Sequence, residues 1–417
     1  MHRSPRSRPP SRSCSRGSCS TSESTARSGS GSCSRSPASC SSPQAEGILP
    51  GVPTPLPVSN RPLRIAIVGL GQIAELCLPP YAARGDVEVV GLCDVDHARL
   101  DRWGATFPGA TRTTDLDALL RTEPDVVDVL VPTPLHYEVV TRVLEAGYHV
   151  QVQKPLARSL PDADRMLAAA QRSGCVLRVM EDYVCFPPLV KLRDIVRSGE
   201  IGDAQSMHMK IAATPRGGWD VNPKSYEWQF AQANDGHGIL TFDHGWHQLA
   251  VAHWLFGPIR RVFGWIRRTP IGPPDKPHIV LDTPATFVWE HANDVRAVLD
   301  VTLAPEMYYR SDYYSDDERV EVTGSRGYVR CNRISGRGVQ APSVVVYREG
   351  EMHEYHALAD EPPDAFAASA AHGVEWFRTG VGDLLLGGGS ARAVLASLLT
   401  ALDSAARGVP LDVERVD

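Results

Sequence analysis

From about residue 61 onward the sequence predicts an α/β domain followed by an α+β domain, on three observations. Short runs that are apolar throughout alternate with helical stretches as far as about residue 182. That is the pattern of a parallel sheet covered on both faces. Beyond it most segments read as strands joined by short turns, which suits a largely antiparallel sheet. The first 60 residues have almost nothing apolar to bury, with seventeen serines between Met1 and Ser42, and are expected to stay disordered as tail and linker. The expected divisions are therefore 1–60, 61–182 and 183–417.

Charge follows the same division. The tail carries +5, from seven Arg against two Glu, which leaves −11 on the rest of a chain whose total is −6. An acidic body argues against nucleic acid as partner. No run approaches the ~18 apolar residues of a membrane span, and the Arg-rich start is not followed by the apolar core of a secretory signal. The tail reads as dispensable or as a start site set too far upstream, against the reading of an Arg/Ser tract that binds nucleic acid or is phosphorylated. Cys14, Cys19, Cys33 and Cys40 lie in it. Cys77, Cys93, Cys175, Cys185 and Cys331 are scattered without a C-x-x-C pair, so neither a disulfide framework nor a zinc site is expected. A reducing, cytoplasmic home follows.

The apolar run Leu63–Val68 leads into Gly69-Leu-Gly71-Gln72-Ile73-Ala74 and a helical stretch to about Ala83. A G-x-G-x-x-A turn between strand and helix lets the backbone approach a pyrophosphate closely. The second run, Val87–Cys93, is followed by Asp94, 25 residues after Gly69. An acid there bonds the adenosine ribose hydroxyls and repels a 2′-phosphate, which favours NAD. Arg99 and Arg102 lie near enough to keep NADP open. The competing reading is a packing turn and a helix-capping Asp.

Short helical segments at Leu100–Trp103 and Leu116–Arg121 precede the third run, Val126–Val131. It ends in Pro132-Thr133-Pro134-Leu-His136, where two prolines hold the chain extended at a crevice position. Thr133 reads equally as a helix cap or a ribose contact. The helix His136–Ala146 and the fourth run, His149–Gln153, bring Lys154 to the same edge. The helix Pro161–Ser173 and the fifth run, Val176–Glu181, close the domain.

A helix at Pro188–Ser198 then ends in Gly199-Glu-Ile-Gly202. Strands are expected at Ala204–Ala213, Ile259–Arg267, Thr286–Glu290, Val295–Leu303, Arg319–Thr323, Gly327–Cys331 and Ser343–Tyr347. A helix at about Ile239–Leu255 interrupts them, and helices return at Ala365–Thr379 and Ser390–Arg407. The interrupting helix sets Asp243 and His247 four apart on one face. Alone, a strand-end lysine is usually a solvated charge, and a D-x-x-x-H pair is often only a surface pair. His136, His237, His244 and His247 show no Cys or carboxylate set beyond Asp243, so no metal is expected.

Taken in order, these segments resemble the Gfo/Idh/MocA dehydrogenases, named for glucose–fructose oxidoreductase, inositol dehydrogenase and a rhizopine-catabolism protein. The resemblance rests on Gly69-Leu-Gly71-Gln72-Ile73-Ala74, Thr133-Pro134 with His136, Lys154-Pro155, Gly199-Glu-Ile-Gly202, Asp243-x-Gly245-x-His247 and Gly324-Ser-Arg-Gly327. It implies a Rossmann domain that binds NAD, with Gln153 in the cofactor set, and an open-faced sheet used to form homodimers or homotetramers. It implies hydride transfer between nicotinamide and a secondary alcohol or ketone of a sugar, cyclitol or glycoside. His247 would be general base or acid, as its ordinary pKa of about 6.5 allows. Lys154 would bond the reacting oxygen, and Asp243 would orient the substrate or the histidine. His244 stands beside them as a substitute, projecting about 100° away on a helix.

The chain departs from the family pattern in two places. Gln153 replaces the Glu of a Glu-Lys-Pro motif, and Asp182-Tyr183-Val184 replaces Asn-Tyr-Arg, leaving Tyr183 as a hydrogen-bonding wall. Arg216, Trp219, Trp228, Tyr308, Tyr309, Tyr313 and Tyr314 suit either a sugar-binding loop or a dimer interface. Two other functions stay open: a glycosidase that retains NAD and works by transient C3 oxidation and elimination, and a non-catalytic dinucleotide sensor.

Overall fold

The continuous apolar runs become parallel strands because both of their faces are covered. In the computed structural model, β1 (Leu63–Val68), β2 (Val87–Cys93), β3 (Thr111–Thr113), β4 (Val126–Val129), β5 (His149–Gln153) and β6 (Leu177–Met180) form one sheet in the order β3-β2-β1-β4-β5-β6. The described residues are 61–219, 227–233, 235–271, 279–334 and 340–414, so the expected tail lies outside them. All five neighbour pairs are parallel. The strand order turns back between β1 and β4, which opens a crevice at their carboxyl ends. β3 escapes sequence reading because Thr-Arg-Thr offers no apolar residue to mark it. The helical stretch after the glycine turn is two short helices, Ala74–Cys77 and Pro79–Ala82, divided where Pro79 and Pro80 interrupt it.

The second sheet has nine strands: β7 (Ala204–Ala213), β8 (Ile259–Pro270), β9 (Val280–His291), β10 (Arg296–Leu303), β11 (Asp317–Gly324), β12 (Gly327–Cys331), β13 (Val344–Arg348), β14 (Glu351–Tyr355) and β15 (Leu411–Asp412). Their order is β14-β13-β12-β11-β7-β10-β9-β8-β15. Every pairing is antiparallel except β7 with β10. Alternation sets the faces: Ala297, Leu299, Val301, Val320 and Val322 are buried, whereas Trp265 and Tyr347 stand exposed.

The C-terminal helix Pro362–Thr379 returns to cover the first sheet, placing Phe366, Ala370, Val374 and Phe377 in one cluster with Ile65 and Ile67. A fully buried Arg178 on β6 ties the two together, donating to the Ser369 carbonyl at 3.2 Å and hydroxyl at 3.1 Å. The C-terminal segment therefore serves both sheets, a sharing that sequence order hides. Among the described residues, no helix is long and apolar enough to cross a membrane.

Candidate active site

The crevice has a backbone wall and a side-chain wall. On the first, Gly69 has φ +92, and a Cβ there would stand 2.8 Å from the Leu130 carbonyl carbon, so only glycine fits. Gly71 is different: an added Cβ would meet only an Arg99 guanidinium nitrogen, at 4.0 Å. The protein's own packing does not need that glycine, so it leaves a cradle open to a ligand. Asp94 is buried at the end of β2. One carboxylate oxygen accepts from the Leu70 amide at 2.6 Å and the other from the Asp96 amide at 2.8 Å. It thus braces the glycine loop, with lone pairs left over for ribose hydroxyls. Arg99 lies 3.6 Å from it and is half exposed, whereas Arg102 is paired with Glu75.

Thr133 caps nothing, and its buried hydroxyl has no partner among the described residues. A buried orphan hydroxyl in such a crevice fits a ligand contact. Pro134 lies in the same single turn, Thr133–Leu135. His136 is held by the protein's own backbone. It is fully buried, with Nδ1 2.9 Å from the Pro155 carbonyl and Nε2 3.0 Å from that of Val131. It joins the loops after β4 and β5 and shapes the crevice only through them. Gln153 turns toward the helix after the glycine loop, with Nε2 donating to Cys77 Sγ at 3.4 Å. Gln72 and Ile73 flank the open loop, half buried.

The second wall rests on an irregular helix start. The Asp243 amide donates five residues back, to the Gly238 carbonyl at 3.0 Å, making a wide first turn before the helix Gly245–Phe256. Asp282 on β9 caps that turn, accepting from the Leu240 and Thr241 amides. A Cβ at Gly238 would collide with Asp282 Oδ2 at 2.0 Å, so the close approach requires glycine. The turn aims Asp243 at the end of β5, where Lys154 Nζ donates to Asp243 Oδ2 at 2.8 Å and to its carbonyl at 3.2 Å. Gln229 Nε2 also donates to that Oδ2, at 3.1 Å.

His247 sits one turn on, with Nδ1 2.7 Å from Glu181 Oε1 and 3.9 Å from Asp182. The same Glu181 oxygen accepts the Tyr183 amide at 2.9 Å. Burial, with help from the Lys154 ammonium, pulls the His247 imidazole down to about 3, so the ring is neutral. Burial pushes Glu181 up to about 7 and Asp182 up to about 6. An oxygen that already accepts a backbone N–H serves best as acceptor again, so Nδ1–H donates to Glu181 and Nε2 keeps its lone pair. Nε2 makes no hydrogen bond among the described residues.

The Tyr183 ring stacks on His247 at 4.1 Å between centroids, and its hydroxyl donates to Glu318 on β11 at 3.0 Å. His244, placed as a substitute base, instead pairs with Glu318 at 2.6 Å. The expectation that these histidines lack carboxylates beyond Asp243 is thereby corrected. Glu181–Asp182–His247 and His244–Asp316–Glu318 each bring histidine and carboxylate atoms within 4.8 Å of one another. Glu318 could have been found from the alternation of β11, since it shares the buried face with Val320 and Val322.

The loop candidates divide. Trp219 stands edge-on to Tyr313 and Tyr314 at 5.6 Å, packed against the cluster that holds Leu70 and Leu76. Arg216 is exposed and donates to the Glu306 carbonyl at 3.3 Å, on the outside of its loop. Tyr308 is exposed, Tyr309 is buried and Trp228 is half buried.

Comparison with known proteins agrees with this architecture. Residues 63–181 match the oxidoreductase family with an NAD-binding Rossmann fold, and residues 189–330 match the GFO/IDH/MocA C-terminal domain. A 1-carboxy-3-chloro-3,4-dihydroxycyclohexa-1,5-diene dehydrogenase of Comamonas testosteroni is 35% identical over 46% of this chain and 47% of its own. A D-glucoside 3-dehydrogenase of Escherichia coli K12 is 30% identical over 48% of this chain and 56% of its own. The chain thus spans about half the length of these two relatives. An Agrobacterium radiobacter oxidoreductase, solved with NAD+, L-tartaric acid and magnesium, has the same fold at TM-score 0.68 and 20% identity, over 84% of this chain and 98% of its own. With both halves matched in order on a shared fold, the chain belongs to the GFO/IDH/MocA oxidoreductase family.

Proposed function

We propose that the protein is an NAD-dependent dehydrogenase for a secondary ring alcohol of a sugar, cyclitol or glycoside. The observation that carries this reading is the convergence of Lys154 and a neutral His247 at the carboxyl edge of the sheet that bears the glycine loop. Gly69, Gly71, Asp94 and Thr133 would hold the dinucleotide, with Arg99 beside Asp94 leaving room for NADP. Bound NAD supplies the hydride acceptor. Lys154 has three N–H donors, and Asp243 takes two of them, which leaves one for the substrate oxygen. His247 Nε2 takes the hydroxyl proton, and Glu181 on Nδ1 stabilises the imidazolium that results. The stacked Tyr183 and the Trp219–Tyr313–Tyr314 group supply flat apolar faces of the kind that sugar rings use.

The names of both relatives place a hydroxyl on a ring. The open sheet face, carrying Trp265 and Tyr347, is where two copies of the chain would meet, and the molar mass in solution by light scattering tests this. The described cysteines are free and buried, which suits a cytoplasmic location. The deciding experiment follows NADH absorbance from purified protein, NAD and a panel of sugars and polyols. Net NADH supports the dehydrogenase. Aglycone release from glycosides without net NADH would replace it with the NAD-retaining glycosidase. Cofactor binding with neither would leave a sensor.

A further inference from the structure

Two histidine–carboxylate pairs stand side by side in the crevice, and the mechanism above uses one. The second, His244 with Glu318, lies one turn away on the same segment, with the two imidazole centroids 5.7 Å apart. Glu318 has no exposed surface. It nonetheless collects three side chains: His244 at 2.6 Å, Gln248 Nε2 at 3.0 Å and the Tyr183 hydroxyl at 3.0 and 3.2 Å.

These contacts reach His247 by two routes. The Tyr183 ring that Glu318 holds is the ring stacked on His247. The His244 ring that Glu318 holds stands nearly perpendicular to His247, at 77°. A carboxylate buried this deeply is costly unless a positive partner stays beside it. Burial alone would lower the His244 imidazole, yet Glu318 carries it up to about 9, so it stays charged at neutral pH. That charge in turn opposes protonation of His247.

We propose that Glu318 is a positioning residue for His247, acting through the Tyr183 ring and through a charged His244. The proposal rests on the reading of His247 as proton acceptor. The groups facing His247 are Lys154 after β5, Glu181 and Asp182 after β6, His244 on its own segment, and Glu318 on β11, while Asp316 just before β11 lies beside His244 and Glu318. Glu318 is thus the means by which the second sheet sets the proton affinity of a base that faces the first.

The test is a titration of histidine ring resonances by NMR in the full chain, assigned with His244→Gln and His247→Gln. In the wild type, His244 should stay protonated to about 9 and His247 stay neutral down to about 3. In Glu318→Gln, His244 loses its partner and should titrate below the ordinary value of about 6.5. His247 loses two opposed influences in that variant, the His244 charge and the Glu318 charge, so its response is read in His244→Gln, where only the opposing charge goes and the proton should bind roughly tenfold more tightly. Glu318→Asp should restore the His244 titration. If His244 keeps its high titration in folded Glu318→Gln, the proposal fails. An unmoved His247 in His244→Gln overturns the idea equally, and because that position is partly exposed the variant serves even where Glu318→Gln does not fold. These titrations need no substrate, so a panel without turnover would sink the dehydrogenase reading while leaving this result to be judged separately.

Discussion

The wall proposed to face the cofactor is drawn from three neighbouring strand ends and held mainly by backbone. Asp94 grips the Leu70 amide, and Gly69 leans on the Leu130 carbonyl. The opposite wall is gathered from the ends of β5 and β6, the segment around Asp243 and His247, and β11. It is held by buried ionisable pairs: Lys154 on Asp243, a neutral His247 on Glu181 and a charged His244 on Glu318. The first wall is a shape, which single substitutions should break by steric conflict. The second is a balance of protons, which they should break by leaving a charge unmatched.

The largest effect should come from the second wall. Lys154→Ala and His247→Gln should each lower kcat by about 10²- to 10⁴-fold while cofactor binding, read by fluorescence quenching, stays near wild type. Full turnover in either variant would mean that the chemistry lies elsewhere. Next come the two glycines, which divide the first wall into its own halves. Gly69→Ala forces a Cβ onto the Leu130 backbone at positive φ and should cost about 2–3 kcal/mol of stability in thermal unfolding. Gly71→Ala adds a Cβ that meets only an Arg99 guanidinium nitrogen, at 4.0 Å. It should therefore unfold like the wild type yet bind NAD at least about tenfold more weakly, a loss of about 1.4 kcal/mol. Equal losses of stability in both variants would erase the distinction.

The same contrast explains what could be read in advance. Gly69, Gly71 and Asp94 follow one another along a repeating strand–helix rhythm, so spacing alone shows that they meet. Lys154, Asp243 and His247 were legible as residues, but their partners were not, because Glu181 lies 66 and Glu318 74 positions from the histidines they hold. The wide turn at Gly238–Asp243 was also hidden: apolar periodicity marks a helix there, and only the Asp282 carboxylate from β9 makes its first turn irregular. His136 was legible beside Thr133-Pro134, but its contacts with the Pro155 and Leu156 carbonyls, 19 and 20 positions on, were not.

The smallest effect is the most discriminating, because it separates a proton balance from a shape. Glu181 titrates at about 7 in the folded protein, against about 4.3 for an unfolded glutamate. Between those values the folded state holds the extra proton, so stability falls as pH rises and the full cost is present above about 7. Ionised Glu181 is also the form that accepts His247 Nδ1–H, so kcat/KM should climb through the same interval. Glu181→Gln should therefore flatten that climb and lower the plateau by roughly tenfold, since no carboxylate remains to support the imidazolium. The variant should also melt about 2–4 °C higher than wild type at pH 8, with the two melting points converging toward pH 4. A variant that melts lower at pH 8 would show that Glu181 is held there as a packing element, and the second wall would then be a shape like the first.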